Sequence, residues 1–175
     1  EIHRNGAIAF AIFNYLRHTN DWEYVNEFGR PVVFGIARFW SQRFNWSKDK
    51  EKYVMLGVTG PNEYENNINN NWYTNYIAKW CLEFALMLND KNSNSAHPLT
   101  EEETKLFKEI SSNVYVPNIE GTSIFLQQDG FLDKEDVSVY DLKHEDRPLN
   151  QNWSWDRILR SCYIKQADVL QGMYF

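Results

Sequence analysis

Glu63 lies in the stretch Gly57-Val58-Thr59-Gly60-Pro61-Asn62-Glu63-Tyr64-Glu65, followed by Asn66, Asn67, Asn69, Asn70 and Asn71. Glycine permits a tight turn and proline fixes φ, so this backbone can hold a carboxyl group in place. The asparagines donate and accept hydrogen bonds, as sugar hydroxyls require, and they tolerate tight turns. A glutamate among neutral amides and aromatic rings, with no cation close by in sequence, is expected to have a raised pKa. A raised pKa suits a general acid working near neutral pH. The chemistry expected of Glu63 is therefore protonation of a leaving oxygen in a glycosidic bond. Ordinary readings stand beside this one: a loop glutamate is usually solvated, and asparagines ahead of a helix usually cap it. Glu65 offers the same group two positions on, and the residues alone do not choose between the two.

No other catalytic set is legible. His3, His18, His97 and His144 are dispersed and lack metal-ligand spacing. His97 and His144 fall in polar runs that read as solvated, while His3 keeps a weak candidacy. Cys81 sits on an apolar helical face as a buried free thiol, far from Cys162. No Ser/His/Asp or Cys/His triad and no nucleotide-type glycine loop is present. The net charge of −6 argues against nucleic acid, which requires a basic face. No apolar run is long enough to span a membrane and no leader pattern opens the chain, so a cytoplasmic setting is expected. The 7 Trp, 10 Tyr and 11 Phe suit a bulky core, and their faces also suit sugar rings.

The elements expected to carry these residues are helical. Residues 1–18 are apolar nearly all round, which predicts a helix buried on most sides. A second segment begins at Asp21, is interrupted by Gly29 and Pro31, and resumes with Val33, Ile36, Ala37, Trp40 and Phe44 on one face. A polar turn at 45–52 leads to a brief extended run at 53–56. After the loop at 57–71, Tyr73, Tyr76, Ile77, Trp80, Cys81, Phe84, Met87 and Leu88 trace a helical stripe. Thr100 and Glu103 form a capping-box signature opening a further helix. Residues 115–152 read as mostly irregular, a length that usually serves a site. The predicted class is all-α, with long loops and at most short strands.

The run 57–67, with Asn69-Asn70-Asn71-Trp72-Tyr73-Thr74-Asn75, resembles the signature of the maltose phosphorylase group. That group belongs to the inverting disaccharide phosphorylases of glycoside hydrolase family 65. Glu1-Ile2-His3-Arg4-Asn5-Gly6-Ala7-Ile8-Ala9 and Lys165-Gln166-Ala167-Asp168-Val169 are similar to the same family, in the same order along the chain. Asn62, where the wider family often has Asp, looks like the maltose-active branch.

The resemblance implies Glu63 as the general acid and Lys165 and Gln166 as contacts of the substrate sugar. It implies that residues 1–175 are a fragment of an (α/α)6-barrel catalytic domain from a homodimeric parent. The acceptor-site loop would then lie upstream of Glu1 and the phosphate-binding residues beyond Phe175. Disaccharide and inorganic phosphate are the implied substrates, with no metal or other cofactor. Asp168 reads as a first-turn carboxylate favoured by a helix dipole. An inverting hydrolase would instead need a second carboxylate as base, for which Asp129, Asp136 and Asp141 are the candidates. A non-catalytic sugar-binding helical domain is the remaining alternative.

Overall fold

A computed structural model of the chain describes residues 1–91 and 98–174. The polar run at 92–97, with His97, lies outside the described residues. Four longer helices build the core: α1 (Arg4–Thr19), α3 (Arg30–Arg43), α4 (Trp72–Lys91) and α5 (Glu101–Ser112), with the short α2 (Trp22–Tyr24) between the first two. Three short helices follow, α6 (Leu149–Asn152), α7 (Trp155–Arg160) and α8 (Val169–Gly172). The all-α class expected from the sequence is what is found. Among the described residues no helix is long and apolar enough to cross a membrane.

The central element is α4, which packs against α1, α3, α5 and α8. Its expected stripe is buried at Tyr73, Ile77, Cys81, Phe84 and Leu88, and burial extends to Trp72, Ala78, Leu82 and Ala85. Burial pushes the Cys81 thiol up to about 12. Helix α5 carries the expected capping box in full: Thr100 N donates to Glu103 Oε2 at 2.9 Å, and Glu103 N donates to Thr100 Oγ1 at 3.1 Å. Glu103 also accepts from Arg38 Nε at 2.5 Å and Nη2 at 3.1 Å, which ties α3 to α5.

Three expectations need correction. Helix α1 is apolar nearly all round but buries only Gly6, Ala9 and Leu16, and Ile8 is 50% exposed. The reason is that α3 and α4, its main helical neighbours within the chain, cover one side only. The interruption at Gly29 and Pro31 does not break the chain's helical course. Residues Val25–Gly29 widen into a π-turn, closed by Arg30 N donating to Val25 O, so that Pro31 falls in the first turn of α3. There its missing N–H costs nothing. The polar run at 45–52 is a hairpin, with β1 (Asn45–Ser47) antiparallel to β2 (Lys52–Val54). Tyr53 links this hairpin to the end of α5, donating to Asn113 O at 2.9 Å and accepting from Tyr115 N at 2.8 Å.

Gly6 sets how closely α1 approaches α4. A Cβ at Gly6 would fall inside the van der Waals envelope of Ile77 Cγ1 and 3.1 Å from its Cγ2. Gly6→Ala should therefore lower stability by about 1–3 kcal/mol through overpacking, against the ~1 kcal/mol that alanine ordinarily gains over glycine inside a helix. Denaturant unfolding measures the outcome, and a net gain would show that the helices have slack at this point.

Candidate active site

The loop at 57–71 is a braced structure. Val58 and Ile68 exchange both backbone hydrogen bonds at 2.9 Å. Asn70 pairs with Met55 twice, its N–H donating to Met55 O at 2.8 Å and its Oδ1 accepting from Met55 N at 3.0 Å. Asn67 and Asn70 adopt left-handed backbone at φ 54° and 52°, which asparagine tolerates better than most residues. Asn71 Oδ1 accepts from Thr74 N at 2.8 Å and from Thr74 Oγ1 at 2.6 Å, capping α4. Gly60 runs so close to this side chain that a Cβ there would sit 2.7 Å from Asn71 Cγ. The asparagines therefore mostly hold backbone. Asn62, Asn70 and Asn71 are buried, and only Asn66, Asn67 and Asn69 face solvent.

This brace presents Glu63 to a second segment from the far end of the chain. The backbone N–H of Glu63 donates to Gln166 Oε1 at 3.0 Å. Lys165 N–H donates to Asn62 Oδ1 at 2.9 Å, and Lys165 Nζ forms an ion pair with Glu63 Oε2. The structure thus brings Glu63, Lys165 and Gln166 into one cluster. The ion-paired side chains are 44% and 45% exposed, so the group is open to solvent.

The expected raised pKa of Glu63 is not found. The Lys165 ammonium, then the Gln166 side chain, hold its carboxyl below the usual carboxylate range, with Arg4 adding a weaker attraction. The cation that local sequence lacked arrives from 102 positions away. Lys165 shifts upward for the same reason.

Glu65 points the other way. It is 3% exposed and paired with Lys134 Nζ at 2.7 Å, with Gln127 Nε2 at 3.5 Å. Lys134 also donates to Leu159 O. Glu65 is thus a buried tie between loops, and Glu63 is the carboxylate of the pair that a ligand could reach.

Asp168 is not the dipole-favoured first-turn carboxylate expected. Its helix, α8, is a single short turn in which Asp168 makes no side-chain cap. It is 4% exposed, its Oδ2 accepts from Asn71 Nδ2 at 2.8 Å, and burial pushes its pKa up to about 6. Its only sequence sign was an acid set between Ala167 and Val169.

His3 lies against the loop, with Nδ1 3.1 Å from Thr59 O and its ring edge-on to Tyr73. Desolvation lowers its pKa. His144 is exposed, as read from the sequence. The candidate bases have other partners: Asp129 accepts from Asn70 Nδ2 at 2.6 Å and lies 3.9 Å from Lys50 Nζ, while Asp136 faces the Cys162 thiol at 3.8 Å. Asp141 lies exposed in a short turn at Val139–Asp141.

Residues 1–175 match the sequence model of the glycosyl hydrolase family 65 central catalytic domain along their whole length. The chain belongs to glycosyl hydrolase family 65. Among family 65 relatives, the maltose phosphorylase of Bacillus subtilis (strain 168) is 52% identical over 99% of this chain and 23% of that protein. The kojibiose phosphorylase of Halothermothrix orenii is 32% identical over 99% of this chain and 24% of that protein. A solved structure named "Putative kojibiose phosphorylase from human microbiome" superposes with a TM-score of 0.85 at 30% identity, covering 97% of this chain and 24% of that one. The chain therefore spans about a quarter of the length of the family 65 relatives it matches. Its helical architecture is consistent with part of an (α/α)6 barrel.

Proposed function

We propose that this chain is part of the catalytic barrel of an inverting phosphorylase that cleaves an α-glucosidic disaccharide, maltose first among them. Glu63 protonates the glycosidic oxygen, Lys165 and Gln166 contact the sugar, and inorganic phosphate attacks the anomeric carbon from the opposite face. The C1–O bond breaks as the C1–O(phosphate) bond forms, giving β-glucose 1-phosphate and glucose. Phosphate is already an anionic nucleophile, so the second carboxylate of an inverting hydrolase has no task. Phosphate serves as co-substrate, no metal or other cofactor is needed, and the parent protein works as a cytoplasmic homodimer. The observation that carries this reading is the convergence of Glu63, Lys165 and Gln166 in a chain 52% identical to a maltose phosphorylase.

At rest Glu63 is an ion-paired carboxylate, whereas the reaction needs its acid form. Sugar hydroxyls that draw Lys165 away, together with exclusion of water, would raise its pKa and let it take up a proton.

The test is a panel of maltose, kojibiose, nigerose and trehalose offered to the full-length protein with and without phosphate. Maltose should be cleaved only with phosphate, and NMR should show β-glucose 1-phosphate as first product. Cleavage by dialysed, phosphate-free protein would favour a hydrolase. Binding without cleavage under either condition would favour a sugar-binding module.

A further inference from the structure

Beneath Glu63, three segments far apart in sequence are joined by buried polar groups. Asn62 Oδ1 accepts from Lys165 N at 2.9 Å and from Tyr64 N at 3.2 Å, which turns its Nδ2 toward Gln127 Oε1 at 3.4 Å. Asn71 is oriented just as firmly. Its Oδ1 is committed to Thr74, and its Nδ2 donates to Gln127 O at 3.2 Å and to Asp168 Oδ2 at 2.8 Å. The backbone amides of Tyr73 and Asn62 also favour the charged form of Asp168, although its buried Oδ1 closes no hydrogen bond of its own among the described residues. Each of these three neighbours is a donor. The charged and titratable groups around Asp168 are the Tyr73 phenol from α4 and Glu65 from the loop, and Lys134 holds Glu65.

Oδ2 accepts from Asn71, and a group that only accepts suits neighbours that only donate, whereas an amide or a neutral acid would bring a hydrogen among them. Keeping a carboxylate at a site this buried works against desolvation, the main cause of its raised pKa. A residue that only filled space could avoid that cost. Asp168 lies three positions past Lys165, so whatever fixes Asp168 fixes the turn that carries Lys165 and Gln166.

We propose that Asp168 is a positioning residue for sugar binding: its carboxylate, latched on Asn71, holds the 165–167 turn so that Lys165 and Gln166 meet the sugar beside Glu63. This rests on the reading above, in which Lys165 contacts the sugar.

The test is a double-mutant cycle in maltose affinity, measured by calorimetry on the full-length protein without phosphate. Asp168→Asn should weaken maltose binding about 10-fold, the scale of one hydrogen bond to a charged group. Because it acts through the turn, the same change in a background carrying both Lys165→Ala and Gln166→Ala should cost less than about two-fold. Asn71→Ser removes the donor to Asp168 but keeps a hydroxyl able to cap α4, and it should give the same pattern. Thermal midpoints should stay within about 5 °C of the parent. Equal losses in both backgrounds, or no loss from either variant, overturns the role of Asp168 and leaves the reading of Lys165 standing. Unchanged binding in Lys165→Ala alone overturns both.

Discussion

Glu63→Gln in the full-length protein lowers turnover on maltose by about 10²–10⁴-fold, the usual contribution of a positioned general acid. Glutamine matches glutamate in size and keeps an oxygen that can accept from Lys165. The main-chain bond from Glu63 to Gln166 does not depend on the side chain. What the variant lacks is a transferable proton. The loss should therefore fall on kcat, with the KM for maltose nearly unchanged. It should also shrink sharply on an α-glucosyl fluoride, whose leaving group departs with little protonation. Near-parental turnover on maltose would exclude Glu63 as the acid. An equal loss on both substrates would point to a role other than proton donation.

Lys165→Met should act on binding and on the proton in different ways. Removing the ammonium takes away the largest cause of the depressed Glu63 pKa. Glu63 then holds its proton to higher pH. The descending limb of kcat/KM, which reports the acid of the free enzyme, should move upward in pH. The maximal rate should nonetheless fall by about 10–100-fold, because the sugar loses a charged hydrogen-bond donor. Phosphate titrates identically for both proteins, so its ionisation cancels in the comparison. A lower rate with an unmoved limb would mean that Lys165 holds the sugar but that Glu63 is not the group being titrated.

Features whose partners lie a few residues away were legible in the sequence. The stripe of α4 repeats on one helical face, and the Thr100–Glu103 capping box closes over three positions. The loop at 57–71 was recognisable by its glycines, proline and asparagines, although half of the asparagines are buried and hold backbone. Features that depend on distant partners were not legible. The charge state of Glu63 depends on a lysine 102 positions away. The choice between Glu63 and Glu65 depends on Lys134, which claims Glu65 for the interior. The exposure of Ile8 depends on which helices are present to cover α1. The π-turn at Val25–Gly29 lets the chain pass Gly29 and Pro31 without the break that proline chemistry suggests.

The 103-position separation between Asn62 and Lys165 also bears on the order in which the molecule assembles. Closing so long a loop costs entropy that is recovered only when its contacts form. Helices α3, α4 and α5 are near neighbours along the chain and share the main apolar core. The segment at 162–174 adds only short turns, and it carries Lys165 and Gln166. The helical core can thus close first, and the site is completed when the 162–174 segment docks on the loop at 57–71.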